Sequence, residues 1–190
     1  MDRGLMTGIY RREGEWTLVE MKVSHPAQLF NSLDPSPFRE RDLDAEAAAW
    51  LVDALRELHG HDKVKVVVYL PGAADERTHV AVTDAIRNFF RYREQAAQFA
   101  LRQVLRYGRL SLAVGLLFLA VCTVLWRFVF TGEALVDRIL GEGFLIMGWV
   151  AMWKPLEILL YDWWPVLRDI RLYRRIAALP VEIRSLARPS

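Results

Sequence analysis

Apolar positions fall into two regimes. Up to about residue 109 they come in short alternations and helical repeats mixed with charge, and from Leu110 to Leu167 they run nearly continuously. The run LSLAVGLLFLAVCTVLW, Leu110 to Trp126, carries no charge, and Arg127 with Phe128, Val129 and Phe130 can snorkel at its far end. A hydrocarbon core of about 30 Å takes about 20 helical residues, so the pattern predicts a first transmembrane helix over 110–130. The plainer alternative, a helix buried in a soluble core, lacks enough polar chain around it to enclose it. A second stretch, GFLIMGWVAMWKPLEILLYDWWPVL, predicts a second transmembrane helix over 144–164, although it carries Lys154, Pro155, Glu157 and Asp162. Its alternative is a shallow re-entrant segment broken at Lys154-Pro155. TGEALVDRILGEG, 131–143, is then a short external loop.

Upstream, TGIYRREGEWTLVEMKV reads as a hairpin, with strands near Thr7 to Arg11 and Glu15 to Val23 around the turn residues Arg12, Glu13 and Gly14. In the second strand Thr17, Val19, Met21 and Val23 share one face and Trp16, Leu18, Glu20 and Lys22 the other, the pattern of a half-buried strand. Pro26, Pro35 and Pro37 forbid a continuous helix in the following segment, which reads as a structured loop pinned by Leu29, Phe30, Leu33 and Phe38. Asp42, Asp44 and Glu46 place negative charge at a helix start, and Ala48, Leu51, Val52, Leu55 and Leu58 repeat at helical spacing, predicting a helix from Asp44 to Leu58. KVKVVVYLP predicts a third strand with Val64, Val66, Val68 and Leu70 on one face, and strand, helix, strand in this order implies a parallel pair. From Asp75 a long helical pattern carries Val82, Ile86, Phe89, Phe90, Ala97, Leu101, Val104 and Leu105 towards the membrane, with Gly108 as the place for a bend.

The expected fold is therefore an α+β, α-helical membrane protein. A small cytoplasmic α/β domain of about three strands and two helices (1–97) leads through a basic juxtamembrane helix (98–109) into a transmembrane helical hairpin. A basic cytoplasmic tail (165–190) follows, its helix ending near Pro180.

Composition narrows this further. With 53% hydrophobic side chains and one Cys, disorder and a disulfide scaffold are excluded. The net charge of +2 conceals its placement. Arg87, Arg91, Arg93, Arg102, Arg106 and Arg109 precede the first span, Arg168, Arg171, Arg174, Arg175, Arg184 and Arg188 follow the second, and Arg138 stands between them against Glu133, Asp137 and Glu142. By the positive-inside rule both termini are cytoplasmic, with Tyr161, Trp163 and Trp164 as an aromatic anchor at that interface. The opening residues lack the apolar core of a removable secretory signal. The bilayer is the expected partner, and the near-neutral charge gives no reason to expect nucleic acid.

LFNSLDPSPFRERDLD (Leu29 to Asp44), GWVAMWKPLEILLYDWWP (Gly148 to Pro165) and RLYRRIAALPVEIR (Arg171 to Arg184) resemble the signature stretches of an uncharacterised bacterial family of two-span membrane proteins. The resemblance covers nearly the whole chain. It implies a bacterial cytoplasmic (inner) membrane location and a hairpin topology, and it brings no activity, cofactor or catalytic residue.

Lys154, Glu157, Tyr161 and Trp164 follow one another at spacings of three, four and three, and so share one face of the second span. Ionisable groups there mark a proton relay, an ion path or a lipid headgroup site. Pro155 leaves the carbonyl of Ala151 without its usual partner at the same depth. The plainer account is an i,i+3 ion pair near the interface that fixes tilt and packing against the first span. Asp34, Pro35, Phe38 and Arg39 form a candidate loop site. Asp34, Glu40, Asp42, Asp44 and Glu46 are a crowded carboxylate set, already accounted for by a turn and a helix start. His59, His61 and Asp62 with His25 or His79 match no closed metal template, and an exposed loop accounts for them. Cys122 lies mid-span, where a thiolate is disfavoured, and reads as packing. No phosphate loop or nucleophile pattern is present, so no catalytic, metal or cofactor residue is expected.

These features predict a non-enzymatic membrane-anchored assembly or regulatory module, forming a homo-oligomer or binding a protein partner. The alternatives are an oligomeric transport or proton-conducting hairpin using Lys154 and Glu157, and an enzyme at the lipid interface.

Overall fold

The computed structural model of the chain describes residues 10–30, 43–58, 62–72, 75–129 and 135–186. Strands β1 (Arg12–Glu13) and β2 (Trp16–Lys22) form an antiparallel hairpin turned at Gly14, whose φ of +60° is the left-handed conformation that glycine adopts without strain. Arg12 and Glu13, expected in the turn, are thus strand residues, because the left-handed position moves the reversal to Gly14 and Glu15. Thr7 to Ile9 lie outside the described residues.

Helix α1 (Ala45–Glu57) starts where the sequence predicts it, with the Asp44 carboxylate accepting hydrogen bonds from the amides of Glu46 (2.9 Å) and Ala47 (3.4 Å). The ends of the preceding loop are clipped together by a Phe30–Leu43 bridge and by the Asp44 amide donating to the Leu29 carbonyl at 2.9 Å. Leu29, Phe30 and Leu43 are buried beneath that clip. β3 (Lys63–Pro71) pairs parallel with β2, as the strand, helix, strand order implies. Helix α2 (Glu76–Phe128) follows, its start held by the Asp75 carboxylate accepting from the Thr78 amide at 2.9 Å. Hydrogen bonds from the Thr78 hydroxyl and amide hold the Asp75 carboxyl below its usual range.

The remaining chain is helix α3 (Leu135–Ala151), helix α4 (Trp153–Glu157), a π-helical turn (Ile158–Asp162), helix α5 (Trp163–Ala177) and strand β4 (Val181–Leu186). Two corrections follow. The stretch expected as an external loop over 131–143 is helical from Leu135, because Leu135, Val136, Ile139 and Leu140 repeat at helical spacing with Asp137 in the first turn. The sheet has four strands, not three, in the order β1-β2-β3-β4. Residues 181–186, expected within a basic tail, form β4 parallel to β3, with Val66 opposite Val181 and Val68 opposite Ile183.

The chain divides into two compact units, Met1–Gln95 with Ile170–Ser190, and Ala96–Asp169. In the first, one face of the sheet (Val19, Val64, Val66, Val68, Leu70 and Val181) packs with Leu51 and Leu55 of α1, Val82, Ile86 and Phe90 of α2, and Ile176 of α5 in a single core. Phe89 and Phe90, whose face demands cover, obtain it within the chain. The Phe90 ring lies 6.1 Å from that of Tyr173, Arg174 donates to Glu94 at 2.8 Å, and Arg175 donates to the Asp62 carbonyl at 2.8 Å. The helix that returns from the apolar region is therefore a core element.

The first unit should fold only when both of its parts are present. A chain with residues 96–169 replaced by a short Gly/Ser linker should unfold cooperatively on heating. Residues 1–95 alone, lacking Ile176, Leu179 and β4, should aggregate or melt without cooperativity. Within the full chain, Ile176→Ala should cost about 2–5 kcal/mol in thermal unfolding. Equal melting of the two shortened chains would show α5 and β4 to be dispensable.

Candidate functional site

In the second unit two apolar helices meet along a seam of small residues. On α2 the buried positions Gly108, Gly115 and Cys122 recur every seven residues, and on the returning chain Gly141, Gly148 and Pro155 do the same. A Cβ on Gly148 would lie 2.8 Å from a Leu119 methyl and 3.2 Å from the Cys122 Cβ, and one on Gly115 would lie 3.1 Å from the Met152 sulfur and 3.3 Å from Pro155. One on Gly108 would lie 2.9 Å from Ile158. Absent side chains here permit close backbone approach, the usual way apolar helices associate without a hydrophobic driving force. Gly108 therefore serves contact, and the helix assignment of α2 runs through it without interruption.

Pro155 shapes the returning helix. Lacking an N–H, it cannot bond the Ala151 carbonyl, and one turn earlier the Met152 amide bonds the Trp149 carbonyl at 3.1 Å, a tightened turn at the junction of α3 and α4. The freed Ala151 oxygen faces Gly115, 3.5 Å from where its Cβ would stand. The π-helical turn then adds a residue. An unbroken seven-residue repeat would carry Asp162 into the seam after Pro155, and the extra residue leaves Asp162 exposed and turns Trp163 partly inward. The Trp163 indole N–H donates to the Leu159 carbonyl at 2.9 Å, satisfying an acceptor within the turn.

This register fixes where the ionisable residues point. Lys154 donates to Glu157 at 3.1 Å, with the two side chains 60% and 46% exposed. Tyr161 and Trp164 are 64% and 58% exposed. All four candidates are exposed, and none is buried in the α2 seam.

The other candidates resolve differently. Asp34, Pro35, Phe38, Arg39, Glu40 and Asp42 lie outside the described residues, as do His59 and His61. Asp44 is engaged as a helix cap. Among the described residues no group of three or more His, Cys, Asp or Glu side chains stands close enough to hold a metal ion. Cys122 is buried at the seam.

The sequence offered no view of a charged network on the sheet face opposite α1, α2 and α5. By register Glu13, Trp16, Leu18, Glu20, Lys65, Val67, Tyr69, Glu182 and Arg184 share it. Arg184 makes a forked contact with Glu13 at 2.6 and 2.7 Å and donates to Glu182 at 2.8 Å. Lys65 donates to Glu182 at 2.8 Å and lies over the Trp16 ring at 5.5 Å. The Tyr69 hydroxyl donates to Glu20 at 2.7 Å. The Arg184 hydrogen bond, joined by that of Lys65, pulls the Glu182 carboxyl down to about 2, and Arg184 likewise lowers Glu13. Leu18 and Val67 are buried on this face, whereas Trp16 and Lys22 are exposed there, so β2 is half-buried as expected except at Leu18. The signal was present in Val181-Glu182-Ile183-Arg184, whose alternation is that of a strand.

Two concavities complete the first unit. One of about 260 Å³ lies among Ala48, Val52, Arg56, Phe89, Arg93 and Tyr173, with Arg93 5.2 Å from the Phe89 ring centre. The other, of about 340 Å³, lies beside β2 among Met21, Gln28, Asp44 and Trp50.

No protein-family model, curated protein or solved structure matches the chain. Both α2 and the returning helix are long and apolar enough to cross a membrane.

Two measurements test these assignments. Gly148→Leu should weaken the helix pairing by about 1–3 kcal/mol, as overpacking does, whereas Gly143→Leu, which meets nothing within 4 Å, should be neutral or stabilising. Thermal unfolding in detergent separates them, and equal effects would remove the seam. The lowered carboxyls of Glu182 and Glu13 contribute stability that is complete above their ordinary value of 4.5 and is lost as pH falls below it, for Glu182 towards about 2. Arg184→Met should destabilise the sheet at neutral pH and raise the midpoint of acid unfolding by about one pH unit. An unchanged acid midpoint would show the network to be idle.

Proposed function

We propose that the chain is a membrane-anchored assembly or regulatory module of the bacterial cytoplasmic membrane, with two spans and no catalytic role. The observation that carries this reading is the position of the apolar helices within the first unit's topology. They lie in the connection between the parallel strands β3 and β4, and the chain on either side of them belongs to one core. Chain before the first apolar helix and chain after the second must then lie on the same side of a bilayer, which requires an even number of crossings. That supports the hairpin over a single span with a re-entrant segment, independently of the arginine distribution. The arginines, concentrated on those same two flanks, favour the cytoplasmic side.

A hairpin tied at both ends to one small sheet domain suits a module that presents the domain at the membrane and assembles there. The transport reading meets a geometric condition. In one hairpin Lys154 and Glu157 are exposed and not buried in the α2 seam, so any path they line forms between copies.

Topology and assembly are tested together on the full-length protein. Reporters before Met1 and after Ser190 should both be cytoplasmic, and one within 132–143 should be external. The protein purified in mild detergent should have the mass of a self-associated species or of a complex with a partner. Termini on opposite sides would overturn the hairpin, and a lone monomer in lipid nanodiscs would overturn the module.

A further inference from the structure

Where α2 enters the apolar region, its charge is gathered on one face. Gly108 marks the seam, because a Cβ there would meet Ile158 and Leu159. At about 100° per residue Arg109 stands about 100° from that direction, Arg102 about 120° and Arg106 about 160°, so three guanidinium groups share a sector about 60° wide. All three are exposed, and none makes an ion pair among the described residues. From Gln95 to Phe128 the helix carries no carboxylate that could neutralise them. Orientation in a bilayer asks only that arginines lie on one side of it, and sets no condition on the face they share.

On the reading that the hairpin crosses a membrane, on which this inference rests, the hydrocarbon begins at Leu110, the start of the uncharged run, and the headgroup layer above it is about 5–7 Å deep. Arg109 is the residue before Leu110, and Arg106 lies about 6 Å from it along the axis, so both stand among the lipid phosphates, with Arg102 about 12 Å out. Their side chains run towards that layer. The Arg102 Nε–H donates to the Gln98 carbonyl at 3.4 Å and the Arg109 Nε–H to the Leu105 carbonyl at 3.3 Å, each one turn nearer the helix start, which draws the guanidinium out of the hydrocarbon. Beneath them the same sector continues as Ala113, Leu116 and Ala120, all exposed, a shallow apolar track where two side chains stop at Cβ. One face thus offers phosphate donors above and an apolar track below, the two ends of a phospholipid. A zwitterionic lipid sets an ammonium beside its phosphate, which the arginines repel, and an anionic lipid does not.

We propose that this face of α2 holds an anionic phospholipid, its phosphate shared by Arg106 and Arg109, with Arg102 adding attraction from above and an acyl chain lying along Ala113, Leu116 and Ala120. Arg106 and Arg109 are three residues apart and so neighbours on the helix surface, within reach of one phosphate. A soluble phosphate would use the upper end alone and leave the track without an occupant.

The test uses the full-length protein in mild detergent, titrated with phosphatidylglycerol or phosphatidylcholine of the same chain length, with bound lipid counted by mass spectrometry of the intact complex. Phosphatidylglycerol should bind about five-fold more tightly or better, and Arg106→Gln with Arg109→Gln should remove most of that preference. Both positions are exposed, and thermal unfolding should show the variant to be folded. Arg168→Gln is the control. Arg168 lies ten residues past Ile158, which is level with Gly108, and so about 15 Å farther from the hydrocarbon, and its loss should leave the preference unchanged. Inorganic phosphate at millimolar concentration should not displace the lipid. Equal binding of the two lipids, a preference that survives Arg106→Gln with Arg109→Gln, or one lost as fully in Arg168→Gln would overturn the proposal. Displacement by inorganic phosphate would also overturn it, since the site would then be one for a soluble anion. Extraction of membranes with alkaline carbonate keeps the two levels apart. Release refutes the spanning reading itself, whereas retention without a lipid preference refutes only the assignment of this face.

Discussion

A parallel strand pair cannot be closed by a tight turn, and the chain must leave the sheet, travel its length and re-enter from the same end. Between β2 and β3 this is done conventionally, by α1. Between β3 and β4 the crossover has grown to contain both apolar helices. α2 and α5 are the ascending and descending limbs of that crossover, and because Val82, Ile86 and Phe90 on one and Ile176 on the other enter the same core, the apolar part is held at two points. The sheet is completed only when β4 arrives, after every other element has been made. Completion of the sheet is therefore conditional on the apolar helices having returned the chain to it, a dependence that a domain made of one continuous segment does not have.

Helices α1, α2 and α5 lie on one face, and among the described residues the other face of a sheet rich in valine is lined by its own side chains. Parallel strands are normally covered on both faces. Here, among the described residues, a set of ion pairs lies beside Leu18 and Val67: Arg184 forks onto Glu13, shares Glu182 with Lys65, and Lys65 rests over Trp16. These bridges join the first strand to the last across the two between them. The long stems of Lys65 and Arg184 bring apolar surface with their charges, which lets a charged face stand beside buried valine.

The sequence made legible what depends on period and local chemistry. The Asp44 cap, the alternation of β3, the start of α2 and the two apolar runs all lie where their residues predict. What it hid depends on partners distant along the chain. β4 is short, follows a proline and sits among arginines, so its alternation is too brief to stand alone, and pairing with β3, Val66 opposite Val181 and Val68 opposite Ile183, completes the case for a strand. Gly108 shows how one residue supports two accounts. As a lone glycine in a helix it suggests a bend, and only the recurrence at Gly115 and Cys122, matched by Gly141 and Gly148, shows a contact. For Lys154 and Glu157 the spacing gave the shared face but not its direction, because direction depends on which residues occupy the seam. The loop candidates from Asp34 to Arg39 lie outside the described residues.

The π-helical turn connects these levels. A helix that pairs through small residues every seven positions commits each later residue to the seam or to the outside. Without the added residue Asp162 would fall in the seam after Gly148 and Pro155, which would set a carboxylate against α2. With it, Asp162 is turned out and Trp163 enters, its indole donating to the backbone that the turn disturbs. Pro155 stands at the right place to permit this, since a helix already missing one backbone hydrogen bond accepts a change of pitch at lower cost. The segment keeps its close packing with α2 through Met152, Pro155 and Ile158 while Lys154, Glu157, Tyr161 and Asp162 stay exposed. Chemistry or recognition by the hairpin must therefore be sought on its outer surface.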